Sequence, residues 1–142
     1  MTTRFNLPTG WPQRGRPFHH GVVQPVGKVL HVTGQVAWDP NGAVIGKGDC
    51  EAQTHYCFDN VEHILRAVGG RPEDIVSLTI FYVDPDDMPA IQKVRAERLR
   101  REHGPVSILI QAGGLIAPDL LVEVVPIAVI PEERFHQPVF DG

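Results

Sequence analysis

Two cysteines, Cys50 and Cys57, are all that this 142-residue chain contains. They are too few for a disulfide scaffold and suit a reducing compartment. No apolar run approaches the roughly 20 residues needed to cross a bilayer. The opening stretch MTTRFNLPTGWPQRGRPFHHG has no apolar signal-peptide core. The chain is therefore expected to be cytoplasmic and to have no membrane partner. Positive charge is not in excess either. The formal net charge is −4 with histidines neutral, so no overall basic field draws it to nucleic acid. The familiar site motifs are missing as well. There is no Gly-x-Ser-x-Gly elbow, no Gly-x-Gly-x-x-Gly after a strand, no His-Glu-x-x-His and no Cys-x-x-Cys. Among the seven histidines, His55 and His63 share a predicted helix but stand eight residues apart, too far along its axis to hold one ion. Neither a metal site nor a dinucleotide site is indicated.

What is present is an ordinary soluble composition, 42% hydrophobic and 21% charged, at a length that suits one domain over residues 1–142. Residues 1–16, rich in Pro, Gly and Arg, read as an extended N-terminal arm, and residues 131–142 as an irregular tail. In GKVLHVTGQVAWDPNG, Val29, His31 and Thr33 alternate with Leu30 and Val32, and the Asp-Pro-Asn-Gly turn predicts a hairpin whose second strand is AVIGKGD. Cys57, Val61, Ile64, Leu65 and Val68 fall at helical spacing, with Asp49 as N-cap and Gly69–Gly70 as the stop. DIVSLTIFYVD is a buried strand. A second helix, DDMPAIQKVRAERLRREHG, carries Met88, Ile91, Val94 and Leu99 as its apolar stripe. Glu97–Arg101 and Arg98–Glu102 are spaced as helical ion pairs. VSILIQ and LLVEVVPIAVI complete the order β-β-α-β-α-β-β, an α+β fold with two helices on one face of a mixed sheet. Its last strand is apolar on both faces apart from Glu123, so the face without helices needs a second cover. Another copy of the chain is the simplest one. Pro126 in that strand points to a bulge or an edge.

Glu123 is the sharpest single residue. A carboxylate between Val122 and Val124 is either a buried acid–base group or an outward, solvated position. Thr33 and Gly34 end a strand, and the glycine admits a ligand, another backbone or a bend there. The basic residues of QKVRAERLRRE, interleaved with acids, read as a solvated helix face. Ser107, in HGPVSILIQAGGL, is on pattern alone either a site hydroxyl or merely a strand residue.

Taken together, VLHVTGQVAWDPNGAVIGKGD, QTHYCFDNVEHILRAVGG, DIVSLTIFYVDPDD and LLVEVVPIAVI resemble the Rid (YjgF/L-PSP) family over about residues 17–130. The resemblance implies a chorismate-mutase-like fold, a homotrimer with its sheets facing inward as a barrel, and small-metabolite clefts between subunits. It also implies, without metal or organic cofactor, hydrolysis of enamines or imines to a carbonyl compound and ammonia. A non-catalytic ligand-binding or regulatory trimer is the alternative reading. Endoribonuclease activity, a label attached to the family, fits the acidic charge poorly. Carried over residue by residue, the strand carboxylate falls at Glu123 and the Ser-Gly of the strand end at Thr33–Gly34. The aromatic after proline falls at Phe18, the second-helix Asn at Gln92 and the following Tyr at Arg95. The Cys of many members falls at Leu109. The arginine that would hold a substrate carboxylate falls at Ser107, so deamination of simple amino-acid-derived imines is expected to be weak. Arg14, Arg16 and Arg95 are the candidates to bring a guanidinium from another direction.

Overall fold

The computed structural model describes residues 1–12 and 14–140. Its centre is a four-stranded sheet in the order β3 (Lys28–His31), β6 (Val122–Ile130), β4 (Ile75–Tyr82), β5 (Val106–Gln111). β6 runs antiparallel to both neighbours, and β4 and β5 are parallel, joined through α2 (Met88–Arg98). α1 (Cys50–Ala67) and α2 pack on one face, where Leu78, Ile80, Val122 and Val124 meet Phe58, Leu65, Ile91 and Val94 in a buried core. This is the expected two-layer α+β architecture. No helix among the described residues is long and apolar enough to cross a membrane.

α1 forms where the apolar spacing places it. Asp49 accepts from the Ala52 N–H at 3.0 Å and caps the first turn. At the far end Gly69, at φ +84°, donates to Arg66 O, and Gly70 donates to Leu65 O. This paired closure is one that a left-handed glycine allows. Gln53, fully buried on α1, donates to Gly46 O and Asp119 O and accepts from the Leu121 N–H, so one satisfied amide ties two loops to the helix.

Three expectations are corrected. Residues 43–49 do not form a hairpin strand. The Asp39–Gly42 turn is there, but after a lone Trp38–Val44 bridge Gly46 and Gly48 adopt left-handed φ and end any extended run. The N-terminal arm is not simply extended: β1 (Thr3–Phe5) pairs antiparallel with β2 (Gly21–Val23), and the Phe5 ring fills the space a side chain on Gly21 would need. α2 stops at Arg98, where Leu99 turns extended and buries its side chain, so the expected Glu97–Arg101 and Arg98–Glu102 helical pairs do not form. Arg98 instead forks to Asp59 and Glu62 on α1, and Glu97 meets His55. Pro126 meets the bulge that the sequence suggests: it lies in the middle of the sheet, beside the register shift between the Ile75–Ala128 and Ser77–Ile127 pairings of β4 and β6. Its nitrogen faces the same way as that of Val124, into the gap between the His31–Ile127 and Gln35–Val124 pairings, so no ladder hydrogen bond is lost.

The tail after β6 also has structure. His136 N and Val139 N donate to Val68 O and Ala67 O. Arg134 reaches Gly69 O and forms a two-pronged pair with the buried Asp74 at 2.6 and 2.9 Å. The tail thus covers the last carbonyls of α1, which would otherwise lack partners.

Candidate functional site

In a strand successive side chains alternate between faces, and register decides which residues share one. Glu123 is level with Phe81, and Phe81 with Ile110, on the face that carries no helix. Ser107 is level with Leu78, and Leu109 with Ile80, on the helix-covered face. One chain therefore holds its candidate residues as two separate groups on opposite sides of the sheet.

The first group is Thr33, Gly34 and Glu123. After β3 ends, the chain continues alongside β6, and Gln35 exchanges backbone hydrogen bonds with Val124 at 2.9 and 3.0 Å. This lays Gly34 against the half-buried Glu123. A Cβ at position 34 would come within 2.3 Å of Glu123 Oε2, so the glycine is needed for the chain's own carboxylate. Thr33 is exposed, and its carbonyl accepts from Gln35 Nε2. Among the described residues, the Glu123 carboxylate has no ion-pair or hydrogen-bond partner. Around it the open face is apolar: Ile108 and Ile110 on β5 and Val29 on β3 remain 49%, 40% and 45% exposed.

The second group is Phe18, Gln92, Arg95, Ser107 and Leu109. Arg95 lies on the buried stripe of α2, four residues after Ile91, and is only 2% exposed. Its Nη1 donates to Ser107 Oγ at 2.8 Å, and its guanidinium stands 5.1 Å from the Phe18 ring centroid. Its Nε is buried without a partner, and among the described residues no carboxylate pairs with it. Burial and the nearby Arg16 push the guanidinium down to about 10, which still leaves it charged at neutral pH. Of the three candidate arginines, the structure thus brings Arg95 to Ser107 and Arg16 near Arg95. The second-helix basic run is not a uniformly solvated face. Arg95 is buried within it, a position legible from its spacing to Ile91 but masked by its charge. Gln92 is half-buried one turn earlier on α2, and Leu109 packs partly against the core.

Ser107 also lines a cleft of about 350 Å³ between β5 and the N-terminal arm, walled by Trp11, Phe18, His20, Val106 and Ile108. The arm is held there from several points. Leu7 N donates to His20 Nδ1, His20 N to Asn6 Oδ1, and His19 N to Pro105 O. Arg4 donates to Gly104 O and Glu73 O. Nothing in the sequence pattern placed Trp11 or His20 at this cleft, because the contact depends on the distant β1–β2 pairing. Cys50 and Cys57 belong to neither group, although the Glu123 carboxylate lies near enough to help raise the Cys57 thiol. They are buried, and desolvation raises their thiols to about 11 and about 12, too high for a nucleophile at neutral pH. Among the described residues, no three His, Cys, Asp or Glu side chains converge as a metal site would require.

Comparison with known proteins places this geometry in context. The sequence profile of the family described as Endoribonuclease L-PSP matches residues 12–130. The 3-aminoacrylate deaminase RutC of Acinetobacter baylyi is 34% identical over 128 residues, which span 90% of this chain and 98% of that protein. A solved structure of YyfB, a Rid-family protein of unknown function from Yersinia pestis, superposes with a TM-score of 0.80 at 32% identity, covering 91% of this chain and 98% of that one. RidA from the Antarctic bacterium Psychrobacter sp. superposes at 0.66 over 89% of this chain and 94% of its own, and at 23% identity it speaks for the fold alone.

Proposed function

The chain belongs to the Rid/YjgF (Endoribonuclease L-PSP) family, and from that premise we propose that it hydrolyses a small enamine or imine to a carbonyl compound and ammonia. The reaction takes place in a cleft shared between copies of the chain. The observation that carries this reading is the Glu123 carboxylate, lying on Gly34 with no partner among the described residues, on an apolar, uncovered sheet face. Such a group is available to take a proton.

An enamine first gains a proton from solvent at carbon and loses one to solvent from nitrogen, becoming the imine. Glu123 then takes a proton from water as the water oxygen bonds to the imine carbon, and the C=N electron pair moves to nitrogen. The proton passes from Glu123 to that nitrogen and completes the carbinolamine; the carboxylate then takes the hydroxyl proton and hands it to the same nitrogen, while the O–H electron pair forms the C=O bond. The C–N bond breaks, and the carbonyl and ammonia leave. Water and imine are consumed and no oxidant is needed. The carboxylate ends as it began, so neither metal nor organic cofactor enters.

A second copy supports the scheme in two ways. It would cover Val29, Ile108 and Ile110, whose exposure is unusual for a lone subunit. It would also bring a Phe18–Arg95–Ser107 group opposite a Glu123–Gly34 group, which one chain keeps on different faces. By family resemblance the assembly is a homotrimer, and closed symmetry then gives each interface one of each group.

The test is ammonia release from imines generated freshly by an amino-acid oxidase or dehydratase. Acceleration that a Glu123→Gln variant of unchanged fold loses by about a hundredfold or more supports the reading. No acceleration on aliphatic or aromatic imines contradicts it and favours a ligand-binding trimer.

A further inference from the structure

Helix α1 ends beside the C-terminal tail, and the two border hollows that the proposed reaction does not use. One, of about 630 Å³, is lined by His63, Arg66 and Ala67 of α1 and by His136, Val139 and Phe140 of the tail. A second, of about 330 Å³, adjoins it, sharing His63, Ala67 and Phe140, and Leu30, Ile64, Val68 and Pro138 make the rest of its wall apolar. Three nitrogen-bearing side chains thus meet at one rim, and none of them is spent on a carboxylate. Glu62, one turn before Arg66 on α1, is drawn to Arg98 at 3.2 Å, and the Arg66 guanidinium and the His63 ring have no partner among the described residues. His136 Nδ1 lies 2.9 Å from Gln137 O, and with that nitrogen donating, Nε2 is left for a ligand. Among the described residues no aspartate or glutamate lines either hollow. The negative end of the α1 dipole is blunted here, because the His136 and Val139 N–H groups cover Val68 O and Ala67 O. The tail backbone is pinned by those two bonds, yet the Phe140 ring is 81% exposed. A ring held at the mouth of an apolar hollow and left uncovered has contact area to give to a bound molecule.

We infer that these joined hollows bind a phosphomonoester of a compact apolar alcohol or phenol: Arg66, His63 and His136 take the phosphate, and the organic group lies against Ile64, Val68 and the Phe140 ring. A phosphate suits this rim better than a carboxylate. It offers three terminal oxygens to three side chains, and with a second pKa of about 6 it presents either a P–O⁻ that accepts from a histidine N–H or a P–OH that donates to a bare ring nitrogen. Arg66 supplies the charge-assisted contact. The two volumes fall within the roughly 300–1,000 Å³ of small-molecule pockets. Leu30 packs with the core on the helix side of the sheet, whereas Glu123 stands on the face that carries no helix. The ligand is therefore a different molecule from the imine, and the inference does not rest on the proposed reaction.

The probe is phenyl phosphate, titrated by calorimetry in phosphate-free buffer at neutral pH and low salt, beside inorganic phosphate, benzoate and benzyl alcohol. Phenyl phosphate should bind at least about tenfold more tightly than each of them: inorganic phosphate lacks the ring, benzyl alcohol the charge and benzoate the third oxygen. Arg66→Gln should weaken phenyl phosphate at least about tenfold. Phe140→Ala should weaken it about threefold or more and leave inorganic phosphate unchanged. Arg100→Gln, which removes an equal charge elsewhere on the surface, should bind as the parent does. All three positions are exposed, so the melting temperature should hold in each variant. Phenyl phosphate bound no more tightly than any one comparator, undiminished binding by Arg66→Gln or Phe140→Ala, or an equal loss in Arg100→Gln would each overturn the inference. Ammonia release is not part of the readout: if no imine is hydrolysed the site still stands, and if the titration fails the reaction still stands.

Discussion

Arg95 on α2 donates to the hydroxyl of Ser107 on β5 at 2.8 Å. A guanidinium thus reaches the strand position where Rid-family resemblance leads one to expect an arginine, but it arrives from the helix above. The charge has moved from one element to its neighbour, and this relationship organises much of the site's expected behaviour.

Restoring the strand arginine should therefore be harmful by itself. Ser107→Arg would set two guanidiniums against each other in a buried place, and a loss of about 2–4 kcal/mol in urea unfolding is expected. Adding Arg95→Tyr, which removes the first charge, should recover at least half of that loss. If Ser107→Arg alone is as stable as the parent, Arg95 is not held where the structure puts it.

Gly34 answers to Glu123 in a similar way. Gly34→Ala places a methyl group where Oε2 now lies. The end of a half-exposed glutamate swings aside cheaply, so stability should fall by less than about 1 kcal/mol. Imine hydrolysis, in contrast, should drop at least about tenfold, because the displaced carboxylate no longer meets the water. Circular dichroism melting and ammonia release on the same preparation separate the two effects.

A third expectation concerns the tail. Removing Arg134 leaves the buried Asp74 carboxylate without its cation and uncovers Gly69 O. Arg134→Ala should cost about 3 kcal/mol in urea unfolding, whereas Arg100→Ala, at an exposed position, should stay within about 0.5 kcal/mol.

Much of this molecule is legible in its sequence where local pattern and tertiary role agree. β4 and β6 bury alternate residues on the helix face, and α1 begins at the Asp49 cap and ends at Gly69–Gly70 as its spacing requires. Reading fails where they part. The Ala43–Val44–Ile45 run satisfies a strand pattern, but Gly46 and Gly48 take φ values that no strand tolerates. The β1–β2 pair joins three-residue segments across a long loop, a distant pairing without a turn signal. Arg95 is a candidate in the sequence, but its burial is masked by its own charge, since a basic residue among acids on a helix looks solvated until the strand packed against it is known. Glu123, Gly34, Phe18 and Ser107 were identified as candidates in the sequence. What sequence did not reveal is that one chain divides them between two faces of its sheet.

That division gives the sharpest test of the account. Glu123→Gln and Arg95→Met variants, each lacking one group, should separately release little ammonia from a carboxylate-bearing imine. Co-refolded in equal amounts, they should regain about a quarter of wild-type activity, the statistical share of interfaces that receive an intact Glu123 from one copy and an intact Arg95 from the next. Activity that stays at the level of the two variants, although mixed assemblies are seen by native mass spectrometry, would contradict a site shared between copies.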